Sequence, residues 1–133
     1  LLLGDLRGQR VAIWGLTYKP GTDTLRRSAS VELAVWLSAQ GVNVTAHDPA
    51  VKKLPPELSG ITLCDTPIEA ISGASALVVA TEWPEIRSLD ADAVVSAMPS
   101  PVVVDPKRFL DSTLGQDRRI RYAAVGYLSR TAG

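Results

Sequence analysis

The chain has 133 residues, enough for one domain that buries a core of its own. Its 14 Lys and Arg balance 14 Asp and Glu, so no charge excess points to nucleic acid or to an anionic membrane surface. Apolar runs such as Ala76-Leu77-Val78-Val79-Ala80 fall far short of the roughly 20 residues that span a bilayer, and no membrane association is expected.

Leu1 to about Gly8 reads as the tail of a preceding helix or a linker. Leu1-Leu2-Leu3 is followed at once by Gly4-Asp5, which is not a secretory pattern. Val11 to Trp14 reads as a buried strand. The long connection from Gly15 to Arg27 leads to a helix that Ser28 or Ser30 can cap. Val31, Ala34, Val35 and Leu37 recur there at helical spacing, and Gly41 suits a left-handed stop. Val42 to His47 is a second strand, Lys52 to Gly60 a surface loop around Pro55-Pro56, and Ile61 to Cys64 a short third strand. Thr66-Pro67-Ile68-Glu69 combines a cap, an initiating proline and a capping-box glutamate, and opens a short helix ending near Gly73. Ala76 to Ala80 is a fully buried strand. Trp83-Pro84 turns into a helix, Ala91 to Ala97 is another, and Pro101 to Val104 and Tyr122 to Val125 are the fifth and sixth strands. Apolar strands separated by helices imply crossover connections and a parallel sheet covered on both faces. The expected fold is therefore α/β: a single doubly wound, Rossmann-like domain over residues 1–133, with a mainly parallel sheet of about six strands.

In such a sheet the strand ends Trp14-Gly15, His47-Asp48, Ala80-Thr81-Glu82 and Val104-Asp105 gather at one edge, where ligands bind. The loop that follows Gly15 carries Lys19, Arg26 and Arg27 near a helix N-terminus, an arrangement suited to an anion. It lacks the dinucleotide fingerprint, because no Gly-x-Gly occurs anywhere in the chain. Specific NAD binding by this chain is therefore not expected. Asp48 stands where such folds keep a ribose-binding carboxylate, or it shapes the Asp48-Pro49 turn; the second reading is preferred. Trp83 either lines the cleft or seals the sheet edge, with sealing preferred. His47, the sole histidine, has no catalytic constellation around it in sequence. Cys64 cannot form an internal disulfide; it reads as a small buried hydrophobe and fits a reducing cytoplasm. A receiver-type signalling domain shares the sheet type, and Thr81 and Lys107 imitate its Thr and Lys. Its Mg²⁺ site needs an acidic pair after the first strand, where this chain has Trp14-Gly15-Leu16.

The run Gly-Leu-x-Tyr-Lys-Pro-x-Thr-Asp-x-x-Arg-x-Ser, from Gly15 to Ser28, resembles the C-terminal UDP-binding domain of the UDP-glucose/GDP-mannose dehydrogenase family. Ala46-His47-Asp48-Pro49, Leu77 to Glu85, Val103-Val104-Asp105 and Tyr122 to Gly126 resemble later family segments in the same order. The resemblance implies a cytoplasmic parent enzyme that oxidises the C6 alcohol of a UDP-sugar, or a related nucleotide sugar, usually to the uronate. It further implies that NAD and the catalytic cysteine belong to an N-terminal NAD domain and a central dimerisation region that are absent here. No catalytic residue, cofactor or metal is then expected in this chain. The alternative is a stand-alone, non-catalytic nucleotide-binding or regulatory module.

By the same resemblance Tyr18 and Lys19 line the substrate cleft. Lys19 can reach a diphosphate oxygen, and Tyr18 offers a flat face with a polar tip. Arg26 either contacts the anion or pairs with Asp23 to pin the loop while Ser28 caps the helix, the structural role being preferred. Asp105-Pro106-Lys107-Arg108 departs from the family's Asp-Gly-Arg-Asn, which sets Lys107 at the arginine and Arg108 at the asparagine. A lysine cannot reproduce a bidentate guanidinium contact, so either Arg108 takes over or the contact is lost.

Overall fold

Val11, Ala12, Ile13 and Trp14 are all buried, although their side chains alternate between two faces. A strand without a solvent face must lie inside a sheet covered on both sides. The computed structural model describes residues 7–17, 29–124 and 127–128. It places this strand, β1 (Arg10–Trp14), in the interior of the sheet. The other strands are β2 (Asn43–His47), β3 (Thr62–Leu63), β4 (Ala76–Val79), β5 (Val102–Val104), β6 (Arg121–Ala124) and β7 (Tyr127–Leu128). Their order is β3-β2-β1-β4-β5-β6-β7. Six strands run parallel, and β7 pairs antiparallel with β6, an edge hairpin not anticipated from the sequence.

The two faces carry separate cores. Val11, Ile13, Val44, Ala46, Ala76 and Val102 meet α1 (Ala29–Ala39) through Ala34 and Leu37. Ala12, Trp14, Leu77, Val79, Val103 and Tyr122 meet α2 (Pro67–Ile71) and α3 (Ala91–Ala97) on the opposite face. Side-chain bonds fasten α2 to the sheet: Trp14 Nε1 donates to the Pro67 carbonyl at 3.0 Å and Thr45 Oγ1 to that of Ala70 at 2.7 Å. On the surface Arg119 joins Asp92 of α3 to Asp117 in the loop before β6, and hydrogen bonds from Arg119 hold the Asp117 carboxyl down to about 2.

Local signals explain most boundaries. Thr66 Oγ1 accepts from Glu69 N at 3.1 Å, and Pro67 opens α2. The Glu69 carboxylate accepts from the Thr66 hydroxyl at 3.3 Å, in place of the backbone bond of the expected capping box. Gly41 stops α1 at φ +85°. Two expectations change. Pro84–Ser88 is a 3₁₀ turn with Pro84 at its start, not the expected α-helix. Val35, which shares the helical spacing of Ala34 and Leu37, is 47% exposed, beside Trp36 at 60%. Ala34 and Leu37 already fill the seat against the sheet, so apolar residues on the outer side of the helix have nothing left to cover. The expected helix tail at the start of the chain lies largely outside the described residues.

Candidate functional site

The parallel register sets what meets at the carboxyl edge. Trp14 lies opposite both His47 and Val79, so Gly15, Asp48 and Ala80-Thr81 follow side by side. The ladder ends with Gly15 N donating to His47 O at 2.8 Å and Thr81 N to Trp14 O at 3.2 Å. Gly15 adopts φ +99°, and a Cβ there would stand 2.3 Å from Thr81 Cβ. Only glycine lets the chain leave β1 so close to the end of β4.

Beyond the ladder, Asp48 takes over. Its Oδ2 accepts from Leu16 N (2.8 Å), Thr17 N (3.0 Å), Thr17 Oγ1 (2.9 Å) and Trp83 Nε1 (3.0 Å). Its Oδ1 accepts from Ala50 N at 2.8 Å, within its own turn. Thr81 Oγ1 donates to Thr17 O at 2.8 Å, so Thr17 is held at its amide, hydroxyl and carbonyl. Asp48 is 1% exposed and both its oxygens are engaged. A ribose-binding carboxylate must present an oxygen to the ligand, and Asp48 does not fit that role. The indole of Trp83 serves the same carboxylate.

A second buried carboxylate, Asp105, organises the turn after β5. It accepts from Phe109 N (3.1 Å), Leu110 N (2.7 Å) and the Tyr122 hydroxyl (2.7 Å). Burial, and then the bond to Asp105, push the Tyr122 hydroxyl above its ordinary pKa. Within this turn Arg108 sits at φ +56° and is exposed. Lys107 is 76% exposed at the rim, with its Nζ 3.8 Å from Glu82 Oε1.

Between these anchored segments lies a cleft of about 390 Å³. Leu33, Val78, Ala80 and Pro106 make its apolar lining, while Thr17, Ser30, Glu82 and Lys107 supply polar groups. It opens beside β1 and β4, where the strand order reverses direction from the central strand. Of the predicted site residues, Lys107 borders this cleft and Arg108 does not. Tyr18, Lys19 and Arg26 lie outside the described residues, as do Asp23 and Ser28. Glu82, one of the strand-end residues, takes its place in the cleft at the tight Thr81-Glu82-Trp83 exit, where Trp83 N donates to Thr81 O at 2.9 Å. His47 Nδ1 lies 3.1 Å from the Cys64 carbonyl, a backbone partner and not a catalytic one. Cys64 is half-buried just beyond β3, and burial pushes its thiol above the ordinary range. Among the described residues no group of His, Cys, Asp and Glu is placed to hold a metal, and no helix is long and apolar enough to cross a membrane.

Residues 12–112 match the UDP-glucose/GDP-mannose dehydrogenase family, UDP binding domain. The UDP-glucose 6-dehydrogenase of Pseudomonas aeruginosa is 42% identical over 133 residues, covering 95% of this chain and 29% of that enzyme. That of Rhizobium meliloti is 37% identical over 127 residues, covering 92% and 28%. The chain thus spans under a third of the length of these relatives. A UDP-glucose dehydrogenase structure from Pyrobaculum islandicum superposes with a TM-score of 0.70 at 30% identity, over 95% of this chain and 27% of the other. An NDP-N-acetyl-D-galactosaminuronic acid dehydrogenase from Methanosarcina mazei Go1 superposes at 0.79 over 96% of this chain and 26% of the other, a likeness of fold at 24% identity.

Proposed function

The chain belongs to the UDP-glucose/GDP-mannose dehydrogenase family as its UDP binding domain, and on that premise we propose that it holds the nucleotide diphosphate of a UDP-sugar. The parent activity on this reading is NAD-dependent oxidation of the sugar C6 alcohol to the uronate in the cytoplasm. Hydride transfer to NAD and the catalytic cysteine belong to segments outside this chain, an NAD domain and a central dimerisation region. This domain's part is to bind and orient. The observation that carries the reading is the cleft at the β1/β4 reversal, bordered by Thr17, by the start of α1 at Ala29-Ser30 and by Lys107. The first turn of a helix favours negative charge. Lys107 adds a cation on the far side, and Leu33, Val78 and Pro106 give apolar surface for a planar base. Tyr18 and Lys19 follow Thr17 directly in the chain and are the proposed diphosphate contacts; Arg26 is a further one.

Calorimetric titration of the chain with UDP and with NAD tests this reading. With only one wall of a cleft present, UDP is expected to bind weakly, near the ~4 kcal/mol of a millimolar complex. NAD is expected not to saturate. Saturable NAD binding that UDP does not displace would overturn the assignment of the cleft.

A further inference from the structure

The bonds to Asp48 divide between its two oxygens in a way that a mere turn-former does not need. Oδ1 accepts from Ala50 N, two residues on, which is sufficient to shape the Asp48-Pro49 turn. Oδ2 faces the other way and collects four donors, three of them from Leu16 and Thr17 and one from Trp83. These bonds begin where the backbone ladder stops: Gly15 N is still paired with His47 O, and the next two amides are held by the carboxylate. None of the four donors carries a formal charge, so the buried carboxylate is satisfied by fixed dipoles alone. Thr81 completes the clamp by donating to the Thr17 carbonyl.

We infer that Asp48 is a positioning residue of the nucleotide site: its Oδ2, with Trp83 and Thr81, fixes Thr17, the residue from which the chain continues into Tyr18 and Lys19. The inference rests on the reading of that loop as the diphosphate site. A lysine on a long loop costs side-chain and backbone freedom each time it binds, and a clamped loop base removes part of that cost beforehand. The carboxylate that dinucleotide-binding folds turn toward a ribose is here turned inward, onto Leu16, Thr17 and Trp83.

The test compares UDP affinity of the intact gene product with that of Asp48→Asn, Lys19→Ala and the double variant, alongside amide hydrogen exchange. Asp48→Asn is expected to raise the UDP dissociation constant about tenfold, the scale set by a modest misplacement of a binding group. In the Lys19→Ala background the same change is expected to cost less than about twofold, because the cation it positions is gone. Exchange at Leu16 and Thr17 is expected to quicken while the Val11–Ile13 amides stay protected, which a general loss of stability would not produce. Unchanged affinity in Asp48→Asn, beside a weakened Lys19→Ala, would overturn the positioning role alone. Equal losses with and without Lys19 would overturn it too, as an effect not routed through that lysine. Unchanged affinity in Lys19→Ala would overturn the reading of the loop and the positioning role with it. Should Asp48→Asn not fold, Trp83→Phe and Thr17→Ala each remove one donor to Oδ2, and the same comparisons apply to them.

Discussion

Gly15 shows how one residue sets the geometry of the site. Its φ of +99° is strained for any side chain, and a Cβ would also lie 2.5 Å from the Thr81 amide nitrogen, which is backbone and cannot swing away. A left-handed non-glycine residue costs about 1–2 kcal/mol, and forcing an extra methyl into a packed place costs about 1–3 kcal/mol. Gly15→Ala is therefore expected to lose about 3 kcal/mol in urea unfolding, whereas Gly8→Ala, with open space around it, should lose only the conformational part. Equal losses at the two glycines would show that the approach to Thr81 carries no weight. The buried acids at this scale were only half legible. Their place at strand ends follows from the alternation of elements. Their partners do not, since Asp48 draws on Leu16, Thr17 and Trp83, residues over thirty positions away that only the folded register unites.

At the scale of elements, periodicity and caps carried far. The strand run at Ala76, the Thr66-Pro67 helix start and the Ala91–Ala97 helix all stand where the sequence puts them. The misses have physical causes. Pro84–Ser88 closes instead with three-residue bonds, Ile86 N donating to the Trp83 carbonyl and Leu89 N to that of Ile86, before Leu89 turns extended. The outward apolar pair Val35-Trp36 cannot be told from a core pair by spacing in a helix that is apolar on nearly every side. In the turn after β5 the structure locates the strain at Arg108, held at φ +56° by the Asp105 bonds on either side. Asparagine tolerates that conformation better than arginine. Arg108→Asn is expected to stabilise the domain by about 0.5–1 kcal/mol, read as a raised Tm. A lowered Tm would mean that the arginine side chain contributes more than its backbone strain costs.

Across the whole molecule, two cores clamp a parallel sheet, and the reversal of strand order leaves one edge where β1, β4 and β5 cannot cover each other. That edge was legible from alternating apolar runs alone. The partition of its cations was not. Lys107 borders the cleft but stands well exposed beside Glu82, so an anion there must compete with a carboxylate already at hand. Lys19 is accordingly the cation on which the account depends. The most direct test is the UDP-sugar affinity of the intact gene product with Lys19→Ala set against Lys107→Ala. Removing a charged hydrogen-bond donor from the diphosphate should cost ~1.5–3 kcal/mol, a roughly tenfold to hundredfold rise in Kd, with little change in Tm. Lys107→Ala should cost distinctly less. Unchanged affinity in Lys19→Ala would contradict the assignment of the loop after β1 as the diphosphate site.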